Sequence, residues 1–106
     1  MEPRVPTVVK RNNLSRVEEW ILLTIKAQHP DAYGVAIQEH ILKATGQDFS
    51  FGTIYATVER LEAAGLIASR QGEATAARGG RAKLYFTITG VGERALAETR
   101  ETTRAL

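Results

Sequence analysis

Thr53, Ala56 and Arg60 stand at i, i+3 and i+7, so a helix would carry them on one side, with Thr57 at its border. Together they make a slim, polar, partly basic face with no large hydrophobe. Such a face can enter a DNA major groove, where threonine and alanine touch thymine methyl groups and arginine reaches guanine or a phosphate. Ser50 is placed to cap this helix first and to meet a phosphate second. Tyr55 either sets its hydroxyl on a phosphate or packs beside the preceding helix. A second group is Arg78, Arg81 and Lys83, with Gly79 and Gly80 among them and no acid from Ala76 to Lys83. These cations would hold phosphates, and the glycines would let backbone come close. The bland alternatives are an ordinary surface helix and a solvated loop.

Other chemistry finds little support. His29 and His40 are isolated and there is no cysteine, so no metal site is expected. No glycine-rich phosphate loop leads into a helix. No nucleophile, base and orienter group together, and Glu59 and Glu62, three apart, suit solvent better than acid–base work. An enzyme is not expected, and neither is a cofactor. No apolar run approaches the ~20 residues of a membrane span. The N-terminus lacks a signal-peptide core, so a cytoplasmic location is the default. The formal net charge of +2 does not announce a nucleic-acid binder. Its distribution says more, because Arg4, Lys10, Arg11 and Arg16 form a second acid-free basic segment.

The elements that must position these residues follow from patterning. The stretch Ser50 to Leu66 reads as one helix, with Ser50 as N-cap, Gly65 just past the last turn, and Ile54, Val58 and Leu61 as its apolar stripe. Upstream, Ser15-Arg16-Val17-Glu18 matches a capping box, and Pro30 stops the helix it opens near Gln28. Val17, Ile21, Thr24, Ile25 and Gln28 mark one side of that first helix. Trp20 and Leu23 widen its apolar arc one way and Leu22 the other. So broad an arc needs partners on more than one side, from its own chain or from a second subunit. His29 to Ala32 reads as a turn. A second helix spans Tyr33 to Thr45 with Gly46 as its stop. Ile37 and Ile41 form its core stripe, supported by Val35 and Leu42, and Gly34 would let another backbone approach.

Helix, tight turn, helix is helix-turn-helix order. Leu66 to Arg70 and Leu84 to Ile88 read as two strands joined by a basic loop, a hairpin placed as a wing. Thr89 caps a last helix, residues 90–106, with a weak stripe of Val91, Ala95, Thr102 and Leu106. The expected fold is mainly α with a small β-hairpin: a winged helix-turn-helix with three helices, a two-stranded wing and a C-terminal helix. Residues 1–14 read as an arm, 15–89 as the DNA-binding domain and 90–106 as a dimerisation helix. Val17, Trp20, Leu23, Val91, Ala95 and Leu106 are the expected dimer contacts.

The ordered set of motifs resembles a known family. Gly52-Thr53-Ile54-Tyr55, Leu61-Glu62 and Gly65-Leu66-Ile67 are similar to the recognition-helix motif of PadR-family transcriptional regulators. Arg78 through Phe86, with Thr87, Thr89 and Gly92 after it, resembles that family's wing and strand. Tyr33-Gly34 and Thr45-Gly46 are similar to the ends of its second helix. The resemblance implies a homodimeric repressor on double-stranded DNA, binding a pseudo-palindromic site. It implies helix 3 in the major groove, the wing near the backbone, and in some members a small hydrophobic effector near the dimer interface. This chain departs in its short, weakly apolar C-terminal helix and its N-terminal arm. Two other readings stand beside this one: a winged helix used only for protein–protein contact, and a sensor whose main activity is effector binding.

Overall fold

A computed structural model of the chain describes residues 13–72 and 83–106. The elements are α1 (Arg16–Gln28), α2 (Gly34–Thr45), α3 (Phe51–Ala63), β1 (Ile67–Gln71), β2 (Leu84–Ile88) and α4 (Gly90–Ala105). The mainly helical winged fold expected from the patterning is present. Most of the expected N-terminal arm, and Arg78, Gly79, Gly80 and Arg81 of the wing, lie outside the described residues.

Local chemistry starts and stops the helices where polar side chains or glycine permit. Ser15 and Glu18 cap each other across the first turn of α1: the Glu18 amide donates to Ser15 Oγ at 3.2 Å and the Ser15 amide to Glu18 Oε1 at 2.8 Å. Ser50 accepts from the Thr53 amide at 3.1 Å to open α3. Gly65 closes α3 at φ 80°, and its amide and that of Leu66 return to the Glu62 and Leu61 carbonyls, both at 2.9 Å. This double return satisfies carbonyls that the helix end leaves unpaired.

The core gathers around α1. Ile21, Leu22 and Ile25 are buried with Ile37 and Ile41 of α2, Ile54, Val58 and Leu61 of α3, and Phe86 of β2. The two strands pair antiparallel from Ile67 opposite Ile88 to Gln71 opposite Leu84. β1 therefore sits one residue later than patterning suggests. Ala32 adds a bridge on the far side of Phe86, whose amide donates to the Ala32 carbonyl at 2.8 Å, so the expected turn also extends the sheet.

Two apolar stripes differ from expectation. In α2, Val35 and Leu42 face solvent, leaving Ile37 and Ile41 as the core stripe. In α4 the buried residues are Gly92, Ala95, Leu96 and Thr99. Val91 is 45% exposed and Leu106 fully so, whereas Ala95 is completely buried in its own protomer. Ala95 therefore has no surface with which to meet a second copy. The stripe was obscured because glycine and threonine supply two of its four positions.

A clasp between the end of α3 and the start of α4 explains that glycine. Thr89 Oγ1 donates to the Gly65 carbonyl at 2.7 Å and accepts from the Gly92 amide at 3.0 Å. The Thr89 amide donates to the Leu66 carbonyl at 3.0 Å. A side chain on Gly92 would overlap the Leu66 carbonyl oxygen and press on Ile88. Gly92→Ala should therefore destabilise the fold by about 1–3 kcal/mol, as overpacking of a tight contact does. Thermal denaturation followed by circular dichroism measures this, and an unchanged midpoint would show that the clasp is loose.

Candidate nucleic-acid interface

The side of α3 away from the core is shaped by what the core takes. Ile54, Thr57, Val58 and Leu61 are buried, leaving Phe51, Gly52, Thr53, Tyr55, Ala56, Glu59 and Arg60 outward. Thr53 and Ala56 are exposed. Ser50 is also exposed, and its hydroxyl lies 3.1 Å from both the amide and the hydroxyl of Thr53. Thr57 differs from the sequence reading. It is 1% exposed and its hydroxyl donates to the Thr53 carbonyl at 2.7 Å. A threonine can lie inward because its own helix satisfies its hydroxyl.

Arg60 is exposed but engaged. Its Nε faces Glu18 Oε2 at 3.7 Å, and its Nη2 is 3.5 Å from Thr57 Oγ1. Glu18 thus caps α1 with one oxygen and holds Arg60 with the other. The guanidinium side of this pair is solvent-exposed and its 3.7 Å separation is long, so a phosphate or base edge can compete for it. Tyr55 packs beside α2: its ring end lies against the Gly34 backbone, where a side chain would overlap it. Gly34 therefore admits a tyrosine ring rather than another backbone. Tyr55 remains 44% exposed, so the ring is wedged without being hidden.

The base of the hairpin holds a group that the sequence reading missed. Lys83 Nζ sits 3.9 Å from the centre of the Tyr33 ring, Tyr33 meets Tyr85 edge-on at 5.9 Å, and the Arg70 guanidinium lies 4.7 Å from the Tyr85 ring. Arg70 also donates to the Pro30 carbonyl at 2.9 Å. The Tyr85 ring lies against Gly72, where a side chain would overlap it. These residues come from three separated stretches, so no local spacing could reveal them. Cation–π contact orients Lys83 and Arg70 without neutralising them. Tyr33 precedes Gly34, so this group adjoins the Tyr55 wedge and links the wing base to α3.

No group of three or more metal-ligating side chains occurs among the described residues. None of the described helices is long and apolar enough to cross a membrane.

Comparison with known proteins places this geometry. No functionally curated protein shows significant sequence similarity to the chain. Among solved structures, a transcriptional regulator from Clostridium thermocellum is 27% identical with a TM-score of 0.73, over 84% of this chain and 83% of that one. A PadR family regulator from Eggerthella lenta is 27% identical with a TM-score of 0.67, over 85% and 76% of the two chains. A PadR-like regulator from Bacillus cereus, 24% identical with a TM-score of 0.69 over 84% and 82%, shares the fold. The model of the PadR-like transcriptional regulator family matches residues 21–98. With this match over most of its length, the chain belongs to the PadR-like family of transcriptional regulators, which are transcription factors and not enzymes.

Proposed function

We propose that the chain is a homodimeric repressor that lays α3 in the major groove of a pseudo-palindromic site while the hairpin holds the flanking backbone. The observation that carries this reading is the two-sidedness of α3. Its inner face is fixed in the core, and its outer face presents Ser50, Thr53 and Ala56 to solvent with Arg60 at one edge. In this reading Thr53 and Ala56 meet base edges, and Arg60 leaves Glu18 for a guanine or a phosphate. Arg78, Arg81 and Lys83 neutralise phosphates, with Gly79 and Gly80 allowing close approach. Tyr55, wedged on Gly34, offers its exposed edge to the backbone.

The reading includes pairing of two copies, because a two-fold protein matches two half-sites one helical turn apart. Val17, Trp20 and Leu23 are only half-buried along α1, and Val91 and Leu106 are exposed on α4. A groove of about 460 Å³ between these helices has Leu23 and Leu96 within it and Arg100 and Arg104 among its borders. A second copy is assigned to this side of the molecule. Ala95 is not among its contacts.

A small hydrophobic effector would fit between α1 and α2. An apolar hollow of about 210 Å³ there is lined by Trp20, Leu23, His40, Ile41 and Ala44. It adjoins the proposed pairing surface, so occupancy could alter the spacing of the two α3 helices.

Binding to duplexes over a salt series tests the DNA contacts. Arg81→Ala should weaken cognate and random duplex alike and lower the salt slope by about one ion. Arg60→Ala should cost about 1–3 kcal/mol more on the cognate site than on random duplex if it reads a base. Parent-like behaviour of both variants would contradict the reading. Light scattering at micromolar concentration should give twice the 11.6 kDa chain mass. A monomer at that concentration would remove the two-fold arrangement.

A further inference from the structure

We propose that Phe51 is a specificity residue that selects a thymine 5-methyl group at one position of the bound DNA site. This rests on the DNA-binding reading above. The chain has three phenylalanines. Phe86 is 2% exposed in the core, and Phe49 is partly buried with its ring 6.2 Å from that of Trp20. Phe51 alone faces solvent, at 45% exposure, as the first residue of α3. Helix formation does not ask for it, because phenylalanine is a modest helix former and the first position favours proline.

Its surroundings point to a carbon contact. Tyr55, one turn on, has its ring centre 6.2 Å from that of Phe51, so the two make an aromatic edge along α3. Beside that edge run Gly52 and Ala56, a flat strip. A side chain placed on Gly52 would meet nothing closer than Ser50 Oγ at 3.7 Å, so the space before the strip is open. An apolar step beside a flat, bare floor complements a groove in which one carbon group projects among polar base edges. In the major groove, that group is the thymine methyl. The N-terminal residues of a recognition helix are the ones that reach base edges. Phe51 can neither donate to nor accept from a phosphate, so its use at a DNA surface is hydrophobic.

The test removes the methyl from the DNA rather than relying on the protein variant alone. Duplexes bound by the wild-type chain are selected from a random pool. Each thymine of the selected half-site is then replaced in turn by deoxyuridine. Besides any position read by Thr53 or Ala56, one position should weaken wild-type binding about fourfold, the scale expected for burying a single methyl-sized group. Phe51→Ala should bind the parent duplex more weakly and be indifferent to uracil at that position. Phe51→Gln should behave likewise, which guards against an unstable alanine variant. Absence of any methyl-sensitive position in the wild type would overturn the proposal, and so would equal uracil sensitivity in wild type and variants. Either result leaves duplex binding itself intact. Failure of the wild type to bind any duplex would overturn the DNA-binding reading and this proposal with it.

Discussion

The structure depends on the place where the end of α3 is locked to the start of α4. Gly65 turns the chain at positive φ, Leu66 presents its carbonyl, Thr89 binds on both sides, and Gly92 leaves room for all of it. The buried stripe of Ile54, Val58 and Leu61 sets which face of α3 points inward, and this lock fixes the far end of the helix against α4. A roll of one residue, about 100°, would turn Thr53 and Ala56 away from their common face. The lock also joins α3 to the helix proposed for pairing, so the spacing of two recognition helices in a dimer would follow from how α4 is seated.

Around that fixed helix the protein arranges its cations without cancelling them. Arg60 rests on Glu18 in an exposed pair, while Lys83 and Arg70 rest on tyrosine rings. Each arrangement orders a long side chain while leaving its charge available, because the pair is solvent-screened and the rings carry no net charge. Lys26 and Arg100 likewise meet Glu93 and Glu19 between α1 and α4, at 3.0 and 3.7 Å.

Much of this was legible in the sequence because it is local. The Ser15–Glu18 box, Ser50 as a cap, Gly65 as a stop and Leu84–Ile88 as a strand each depend on neighbours a few residues away. The two faces of α3 followed from helical spacing, apart from Thr57, whose hydroxyl is satisfied within its own helix. The α4 stripe was misread because Gly92 and Thr99 do not look apolar, and because Leu96 beside Ala95 shifts the stripe's centre. Val35 and Leu42 were misplaced because spacing gives the direction of a stripe and not its width. The Tyr33–Tyr85 group and the Arg60–Glu18 pair join residues far apart in the chain, so only the folded molecule brings them together.

The central claim is that the outer face of α3 is the surface that meets duplex DNA. Backbone amide resonances followed during titration with a selected duplex test it most directly. The account predicts that the amides of Gly52, Thr53 and Ala56 shift first and furthest, while those in the second half of α4 stay nearly still. Large shifts confined to α4, with the α3 amides unmoved at saturation, would contradict it.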